Sequence, residues 1–366
     1  MKKIIYISDI PWKDITQRQH HLSNNLANHA EIIYFSCNSV TQLKKYFNNN
    51  YLPPFKTNPR LKIIEFFFLP FTRLWLFKQI NFFVSFIFLY FYFLKKDFSV
   101  ILSHPSQEIF LNLPAKDFYY DFVDDASEFQ IARKNSLVLK AQENKILERC
   151  NAVFAPSRLI EKKVLQKINN VIFIPNGVNK EHFSLKSAKL PEDLKIIGKP
   201  LVGFYGAINE LIDLQLVLFL SQKLPIVNFI FIGPVSIDIS LLKNNKNVFF
   251  LGIKPYSQLP FYLVSTDIWI IPFKQNNFSS LLNPVKVYEY LAAERTIITT
   301  YLPELEWLGD LIFMTKSSEQ FMERLNFCLN NQQRIYDQEK LEKTINENSW
   351  PFLAEKMAKQ ILEKEN

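Results

Sequence analysis

A lysine and a glutamate stand three positions apart in the stretch SSLLNPVKVYEYLAAERTIITT, at Lys286 and Glu289. Asn283 followed by Pro284 predicts a helix N-cap and a first-turn proline, which places Lys286 in the first helical turn and Glu289 on the same face. A cation there opposes the helix dipole, whereas the backbone N–H groups attract anions. A bound diphosphate explains such a lysine better than folding does, and the glutamate can accept hydrogen bonds from a ribose or sugar diol. A surface Lys–Glu pair is the structural alternative.

A second set of polar residues follows predicted strands in the first half of the chain. His104 follows the apolar run Val100–Leu102, and Asp124 and Asp125 follow Phe118–Val123. Residues at the carboxyl ends of parallel strands line the crevice where ligands bind. Either aspartate can orient or deprotonate an acceptor hydroxyl, and capping of the next helix is the alternative role for Asp124. We therefore predict His104 and Asp125 as catalytic residues and Asp124 as an acceptor-side residue.

The start of the first predicted helix carries three more candidates, Arg18, His20 and His21. We predict that Arg18 and His21 lie on the acceptor side, in contact with the acceptor or a phosphate. At least one of the two histidines is expected to face solvent.

Glycine and cysteine usage exclude several kinds of site. The chain has only 7 glycines, none of them among the first 176 residues, so the N-terminal half has neither a P-loop nor a GxGxxG fingerprint. Cys37, Cys150 and Cys328 are far apart and lack metal-ligand spacing, which indicates thiols in a reducing, cytoplasmic compartment. With no HxxH or HExxH motif, a zinc enzyme is not expected.

The elements that must position these residues form two series. Short, nearly continuous apolar runs alternate with amphipathic segments both before and after Pro200, which indicates two α/β domains with parallel sheets. The length of 366 residues also fits two domains. We predict a first domain over 1–179 together with a final helix in 349–366, and a second over 196–348, with residues 180–199 as the linker.

The positive charge and an aromatic segment both lie in the first quarter. Residues 1–100 contain 13 Lys and Arg against 5 Asp and Glu, which accounts for the whole net charge of +8. The uncharged segment 79–94, QINFFVSFIFLYFYFL, would make a helix of about 24 Å, shorter than the ~30 Å hydrocarbon core. Burial, interfacial docking and spanning stay open for it. Peripheral contact with the inner face of the cytoplasmic membrane fits this charge, whereas Arg clusters with spaced aromatics, typical of nucleic-acid binding, are absent.

Two motifs carry a family resemblance. IPNGVNKEHF (174–183) and NPVKVYEYLAAERTII (283–298) resemble GT-B glycosyltransferases of the family-4 type, in a branch related to teichuronic acid glycosyltransferases. The resemblance extends over nearly the whole chain, least of all between about residues 40 and 98. It implies two Rossmann-like domains facing a central cleft, with the last helix crossing back to the first domain. It also implies transfer of a sugar from a nucleotide-sugar to a hydroxyl of a bacterial surface glycan or lipid-linked acceptor, with retention and without a metal or other cofactor.

The resemblance also assigns donor-site roles. Glu289 matches the second acid of the family's E-x7-E element, expected on the ribose or sugar, and is predicted to be catalytic together with His104 and Asp125. Lys286 matches the diphosphate contact. The first acid would stand at Leu281 and is missing, and Asn283 is the candidate to take over part of its contact. The further donor-binding residues implied are Gly206 at the diphosphate, Pro284 at the helix start, and Gly252, Ile253 and Lys254 at the base. Because of Leu281, a catalytically inactive scaffold in a glycan-assembly complex is one alternative function; a GT-B nucleotide-sugar 2-epimerase is the other.

Overall fold

The computed structural model describes residues 2–13, 16–39, 56–68, 75–93, 97–123, 136–184, 190–331 and 336–363. The chain divides into two compact units, one formed by Met1–Pro175 with Trp350–Asn366 and the other by Asn176–Ser349. The final helix therefore belongs to the first unit. The described part of the predicted linker, in contrast, is folded into the second unit, where Phe183 and Leu194 are buried in the core.

The described residues of the first unit form a seven-stranded parallel sheet in the order β3-β2-β1-β4-β5-β6-β7. The strands are β1 (Lys3–Ser8), β2 (Glu31–Ser39), β3 (Leu61–Phe68), β4 (Ser99–Leu102), β5 (Asp117–Asp121), β6 (Ala152–Ala155) and β7 (Val171–Phe173). The short runs IIYI, VIL and AVFA are buried because helices cover a parallel sheet on both faces.

The helices of this unit are α1 (Arg18–Leu26), α2 (Trp75–Phe93), α3 (Ser136–Arg149), α4 (Arg158–Leu165) and, from the far end of the chain, α13 (Trp350–Leu362), with a 3-10 helix at Pro105–Asn112. Helix α13 packs against α1, and the ring of Trp350 stacks on that of His21 with centroids 4.9 Å apart. This contact fixes the end of the chain to the first unit.

Helix α2 contains most of the aromatic segment and is apolar on two faces. Phe82 packs edge-on against Phe110 at 5.9 Å and Phe93 packs against Phe98 at 4.8 Å, which anchors one face in the unit. The opposite face is exposed at five apolar residues, Ile80, Phe83, Val84, Ile87 and Phe91. None of the helices in the described part of the chain is long and apolar enough to cross a membrane.

The second unit contains a six-stranded parallel sheet in the order β10-β9-β8-β11-β12-β13, counted over its described residues. The strands are β8 (Leu201–Tyr205), β9 (Asn228–Ile232), β10 (Val248–Gly252), β11 (Ile268–Ile271), β12 (Thr296–Thr300) and β13 (Phe313–Thr315). The helices are α5 (Lys180–Phe183), α6 (Glu192–Ile197), α7 (Leu214–Lys223), α8 (Leu259–Ser265), α9 (Asn277–Ser280), α10 (Val285–Ala292), α11 (Ser318–Asn330) and α12 (Gln338–Glu347), with 3-10 helices at Ser240–Leu242, Tyr256–Gln258 and Pro303–Leu311.

Each sheet has one point at which the strand order reverses. The reversal lies between β1 and β4 in the first sheet and between β8 and β11 in the second. In open α/β sheets, ligands bind outside the carboxyl ends of the strands at this point, because the loops there diverge and leave a crevice. The residues after β8 and β11 are therefore expected to line a ligand site in the second unit.

Candidate functional site

Lys286 lies at the reversal point of the second sheet. Its Nζ stands 5.3 Å from the ring centre of Phe204, in β8, and 5.7 Å from that of Phe273, just after β11. These cation–π contacts hold the ammonium group in place over the carboxyl ends of the two strands. The lysine therefore presents positive charge where the topology favours a ligand.

Gly206 lets this lysine approach the turn after β8. The glycine has φ +137°, and a Cβ added to it would lie 2.6 Å from Cε and 2.9 Å from Nζ of Lys286. Gly233, after β9, also requires the absence of a side chain, since its Cβ would stand 2.0 Å from the carbonyl oxygen of Gly206. The two turns thus pack backbone to backbone beneath the lysine. This bare surface fits the close approach that a diphosphate needs.

Helix α10 begins one residue later than predicted. Pro284 is the N-cap, with φ −68° and ψ 123°, so Asn283 is not a cap. The side-chain oxygen of Asn283 instead accepts a hydrogen bond from the Tyr288 hydroxyl at 2.8 Å, and the backbone carbonyl of Asn283 accepts one from Nδ2 of Asn176 at 2.6 Å. Lys286 still falls in the first turn, as predicted. Asn176 belongs to the IPNGVNKEHF motif, so the two motifs meet here.

Glu289 is buried rather than part of a surface pair. Its side chain belongs to the buried face of α10, and its Oε2 accepts a hydrogen bond from the Tyr205 hydroxyl at 2.5 Å. Burial raises the pKa of Glu289 to about 7, opposed by the hydrogen bond from Tyr205 and by the charge of Lys286. A carboxylate that is costly to bury needs hydrogen-bond donors, which the hydroxyl groups of a ligand can supply. Tyr205 belongs to no predicted site, because its only local signal in the sequence is its position before Gly206.

The turn after β10 has fewer groups placed to hold a ligand than the turn after β8 has. Gly252 has φ +68°, and Ile253 is exposed. The ammonium of Lys254 pairs with the carboxylate of Asp193 at 2.8 Å, a contact that lowers the pKa of Asp193 against the effect of its burial. Leu281, at the position where the resemblance places the first acid, is the C-cap of the short helix α9 and is half-buried.

In the first unit, His104 follows β4 as predicted and caps the 3-10 helix Pro105–Asn112. Its Nδ1 lies 2.7 Å from the hydroxyl oxygen of Ser106 and accepts from the Ser106 backbone N–H at 3.2 Å. The ring is half-buried. Because β4 borders the reversal point of the first sheet, His104 stands where an acceptor would be expected.

Arg18 has a structural partner that the sequence analysis did not identify. Its Nε and Nη2 donate to the carboxylate of Asp121 at 2.8–3.1 Å, and its Nη1 donates to the carbonyl of Pro175 at 2.7 Å. Both side chains of this ion pair are almost fully buried, and Tyr6 also donates to Asp121. Breaking a buried pair of this kind costs about 3–5 kcal/mol, so the ion pair of Arg18 and Asp121 must stay intact in the folded first unit.

The expectation that His20 or His21 faces solvent is wrong. His20 is buried between the backbone N–H of Gln17, which donates to its Nδ1, and the carbonyl of Pro11 near its Nε2. His21 is buried against Trp350. Asp124 and Asp125 lie outside the described residues, so Asp121 is the carboxylate that the structure places at the end of β5. Among the described residues, no group of three or more His, Cys, Asp and Glu side chains could hold a metal ion.

Comparison with known proteins supports the resemblance. The chain is 28% identical over 176 residues to TuaH of Bacillus subtilis (strain 168), whose name describes it as a teichuronic acid biosynthesis glycosyltransferase. The match covers 45% of this chain and 44% of that protein, so the chain spans less than half the length of this relative in the alignment. No protein-family model matches the chain.

Solved structures have the same fold as this chain over nearly its whole length. Sucrose-phosphate synthase from Thermosynechococcus elongatus superposes with a TM-score of 0.74 at 14% identity, covering 99% of both chains. Anabaena Alr3699/HepE in complex with UDP-glucose gives a TM-score of 0.66 at 12% identity, covering 98% of this chain and 95% of the other. The predicted α/β fold of GT-B type, with two parallel-sheet domains, is confirmed.

Proposed function

We propose that this chain is a glycosyltransferase that moves a sugar from a nucleotide-sugar to a hydroxyl group of a bacterial surface glycan or lipid-linked acceptor, with retention of configuration. The observation that carries the proposal is the position of Lys286, whose ammonium lies on the Gly206 turn at the reversal point of the second sheet. The likeness to TuaH and the UDP-glucose bound by a protein of the same fold support it.

The proposed chemistry places charge stabilisation on the donor side. As the sugar–phosphate bond breaks, negative charge grows on the departing diphosphate, and the Lys286 ammonium and the first-turn N–H groups of α10 stabilise it. Glu289 accepts hydrogen bonds from hydroxyl groups of the donor. This arrangement needs no metal ion or other cofactor. On the acceptor side, His104 and Asp125 are the proposed groups that orient or deprotonate the attacking hydroxyl, with Asp124 beside them.

A nucleotide-sugar panel tests the donor site. We expect one of the UDP-, GDP- or dTDP-sugars to raise the melting temperature of the protein, because a ligand bound to the folded state stabilises it. Lys286→Ala should weaken that binding about 10- to 100-fold, since a hydrogen bond to a charged group contributes about 1.5–3 kcal/mol. Lys223→Ala removes an exposed lysine at the end of α7 and serves as the matched control.

The same assay separates the alternatives. No shift with any nucleotide-sugar, together with unchanged glycan assembly by Lys286→Ala and Glu289→Gln, would establish the inactive scaffold and contradict the enzyme. Binding followed by interconversion of free nucleotide-sugars, without transfer to an acceptor, would identify the 2-epimerase.

We further propose that the exposed face of α2 rests on an anionic lipid bilayer, at the inner face of the cytoplasmic membrane. Its five apolar side chains, Ile80, Phe83, Val84, Ile87 and Phe91, are exposed by 38–70% and recur at helical spacing. The surrounding sequence carries all of the excess positive charge of the chain. In the structure, the exposed Lys62 lies against Tyr92 of the same helix, with Nζ 2.8 Å from the hydroxyl. An apolar stripe beside cations is what a peripheral membrane helix requires.

Vesicle sedimentation tests this surface. We expect the protein to sediment with phosphatidylglycerol vesicles, less with phosphatidylcholine vesicles, and to be released by high salt, because surface charges are screened. Phe83→Ser should weaken sedimentation severalfold, whereas Phe327→Ser, at a phenylalanine equally exposed (54%) on α11 of the second unit, should not. Equal effects of the two substitutions, or no sedimentation of the wild-type protein, would contradict the proposal.

A further inference from the structure

Tyr205 and Glu289 meet at the reversal point of the second sheet. Tyr205 is the last residue of β8, and its hydroxyl donates to Oε2 of Glu289 at 2.5 Å. Burial and the neighbouring Glu289 raise the pKa of Tyr205 well above its usual value, so the phenol keeps its proton and is the donor. Within the described residues, Oε1 of Glu289 has no hydrogen-bond partner of its own.

Neighbouring rings hold the phenol in place. The ring of Tyr205 packs edge-on against Trp269 at 5.5 Å and against Tyr290 at 5.1 Å, and the last two rings lie 4.9 Å apart. The Tyr290 hydroxyl accepts from the backbone N–H of Tyr205 at 3.2 Å. Trp269 belongs to β11, so the cluster connects both strands that flank the reversal point. A side chain confined on this many sides keeps its hydroxyl at a fixed position.

We infer that Tyr205 is a positioning residue of the proposed donor site, whose hydroxyl holds the Glu289 carboxylate through Oε2 and thereby makes Oε1 the oxygen that accepts a hydroxyl group of the donor. The inference rests on the proposed function. It assigns Tyr205 a role in orienting and ionising Glu289 and none in contacting the substrate.

The charged and titratable groups around Glu289 determine how its pKa changes when the Tyr205 hydroxyl is removed. On α10 itself stand Lys286, whose charge lowers the pKa of Glu289, and Tyr290; β8 contributes Tyr205, whose hydrogen bond also lowers it. Tyr256, from the 3-10 helix after β10, is buried near the carboxyl group, and the negative charge of Glu289 raises the pKa of that tyrosine.

Three further elements pack against α10, and one of them, β12, carries no charged residue. Helix α5 brings His182, which stacks on Tyr256 and whose pKa burial lowers below its usual value of 6.5. Helix α12 buries Leu341, Thr344 and Ile345, none of which is charged. A titration near pH 7 therefore belongs to Glu289. Without the Tyr205 hydroxyl, the pKa of Glu289 rises further, and the carboxyl group is protonated at neutral pH, when it accepts hydrogen bonds poorly.

Calorimetric titration of the full chain with the nucleotide-sugar found by the panel, between pH 5.5 and 8.5, tests the inference. In the wild-type protein we expect the affinity to rise with pH through a midpoint near 7, and in Glu289→Gln to show no such midpoint. Tyr205→Phe should move the midpoint to higher pH and weaken binding at pH 7 by about 2- to 10-fold, the equivalent of one hydrogen bond. Tyr290→Phe, which removes a buried hydroxyl from the same cluster, should leave the midpoint in place.

A ligand-free measurement separates this inference from the proposed function. The carboxyl 13C signal of Glu289, assigned by its loss in Glu289→Gln, should titrate near pH 7 in the wild-type protein and at higher pH in Tyr205→Phe. If this pKa shift is observed but no nucleotide-sugar binds, the donor role of the site is overturned, and with it the positioning role of Tyr205. The result would still show that the Tyr205 hydroxyl lowers the pKa of Glu289. Binding by the wild-type protein with the same midpoint in Tyr205→Phe would overturn the inference alone.

Discussion

The residue that best connects sequence to chemistry is Glu289. Its spacing from Lys286 indicates a shared helix face, and the structure adds that the carboxyl group is buried and held by a tyrosine from another strand. A carboxyl group with a pKa near 7 is half protonated under physiological conditions. Folding therefore tolerates Glu289 at a cost, which a ligand that donates hydrogen bonds would offset.

That cost gives a pH-dependent stability. The pKa of Glu289 is about 7 in the folded protein and near the ordinary 4.5 when unfolded, so between these values the folded state binds more protons. Stability from this group is therefore present below about pH 4.5 and is lost as pH rises to about 7. Glu289→Gln should gain stability relative to wild type over this interval, by about 3 kcal/mol in total.

Urea unfolding at pH 5, 6 and 7 measures this difference. The matched control is Glu323→Gln, which removes an exposed carboxylate from α11 and should track the wild-type protein at each pH. If the Glu289→Gln and wild-type curves stay parallel across the three pH values, Glu289 ionises in the folded protein as it does in water.

At the scale of elements, the strands were predictable and the side-chain partners were not. The runs Val100–Leu102 and Ile268–Ile271 coincide with buried strands, because a parallel sheet covered on both faces requires continuous apolar sequence. The start of α10 was misplaced by one residue, since a proline fits both the N-cap and the first turn. These are local properties, and the sequence carries most of the information needed to predict them.

Long-range contacts explain what the sequence analysis missed. His21 is buried because Trp350 returns from the other end of the chain, and Arg18 is neutralised by Asp121, the first of three aspartates in YDFVDD. Residue type and spacing cannot distinguish a histidine under a ring from one in water. The role of Tyr205 was hidden for the same reason, because its partner Glu289 lies on a separate element.

The turn after β8 yields a prediction at this scale. In Gly206→Ala, the new Cβ would stand 2.6 Å from Cε of Lys286, so the flexible lysine side chain must move away from the turn. We expect the affinity for the nucleotide-sugar to fall at least about tenfold, the loss of one charge-assisted contact. Stability should fall by about 1–2 kcal/mol from backbone strain at positive φ.

The control for that variant is Gly198→Ala. Gly198 also has a positive φ, +78°, but a Cβ there meets nothing within 4 Å. It should lose a similar amount of stability while keeping full affinity, as judged by chemical denaturation and calorimetric titration. A parallel loss of affinity in both variants would mean that strain, and not the displaced lysine, weakens binding.

At the scale of the whole molecule, the chain builds its first unit from both ends. Residues 1–100 of this unit are basic and contain no glycine, and they include the exposed apolar face of α2. The second unit contains the glycines of the paired turns, Gly206 and Gly233. The proposed donor chemistry and the proposed membrane surface thus belong to different units. Closure of the first unit by α13 means that its integrity depends on residues that follow the entire second unit.

Trp350→Ala tests this dependence. Trp350 is 1% exposed and stacks on His21 of α1, so its loss should destabilise the first unit by about 3–5 kcal/mol. Hydrogen exchange should then accelerate in the strands β1–β7 and stay unchanged in β8–β13, because opening free energies are set within each cooperative unit. Trp307→Ala, at a half-exposed tryptophan (46%) in the second unit, should leave β1–β7 protected. Equal loss of protection in both sheets of Trp350→Ala would show that the two units unfold as one.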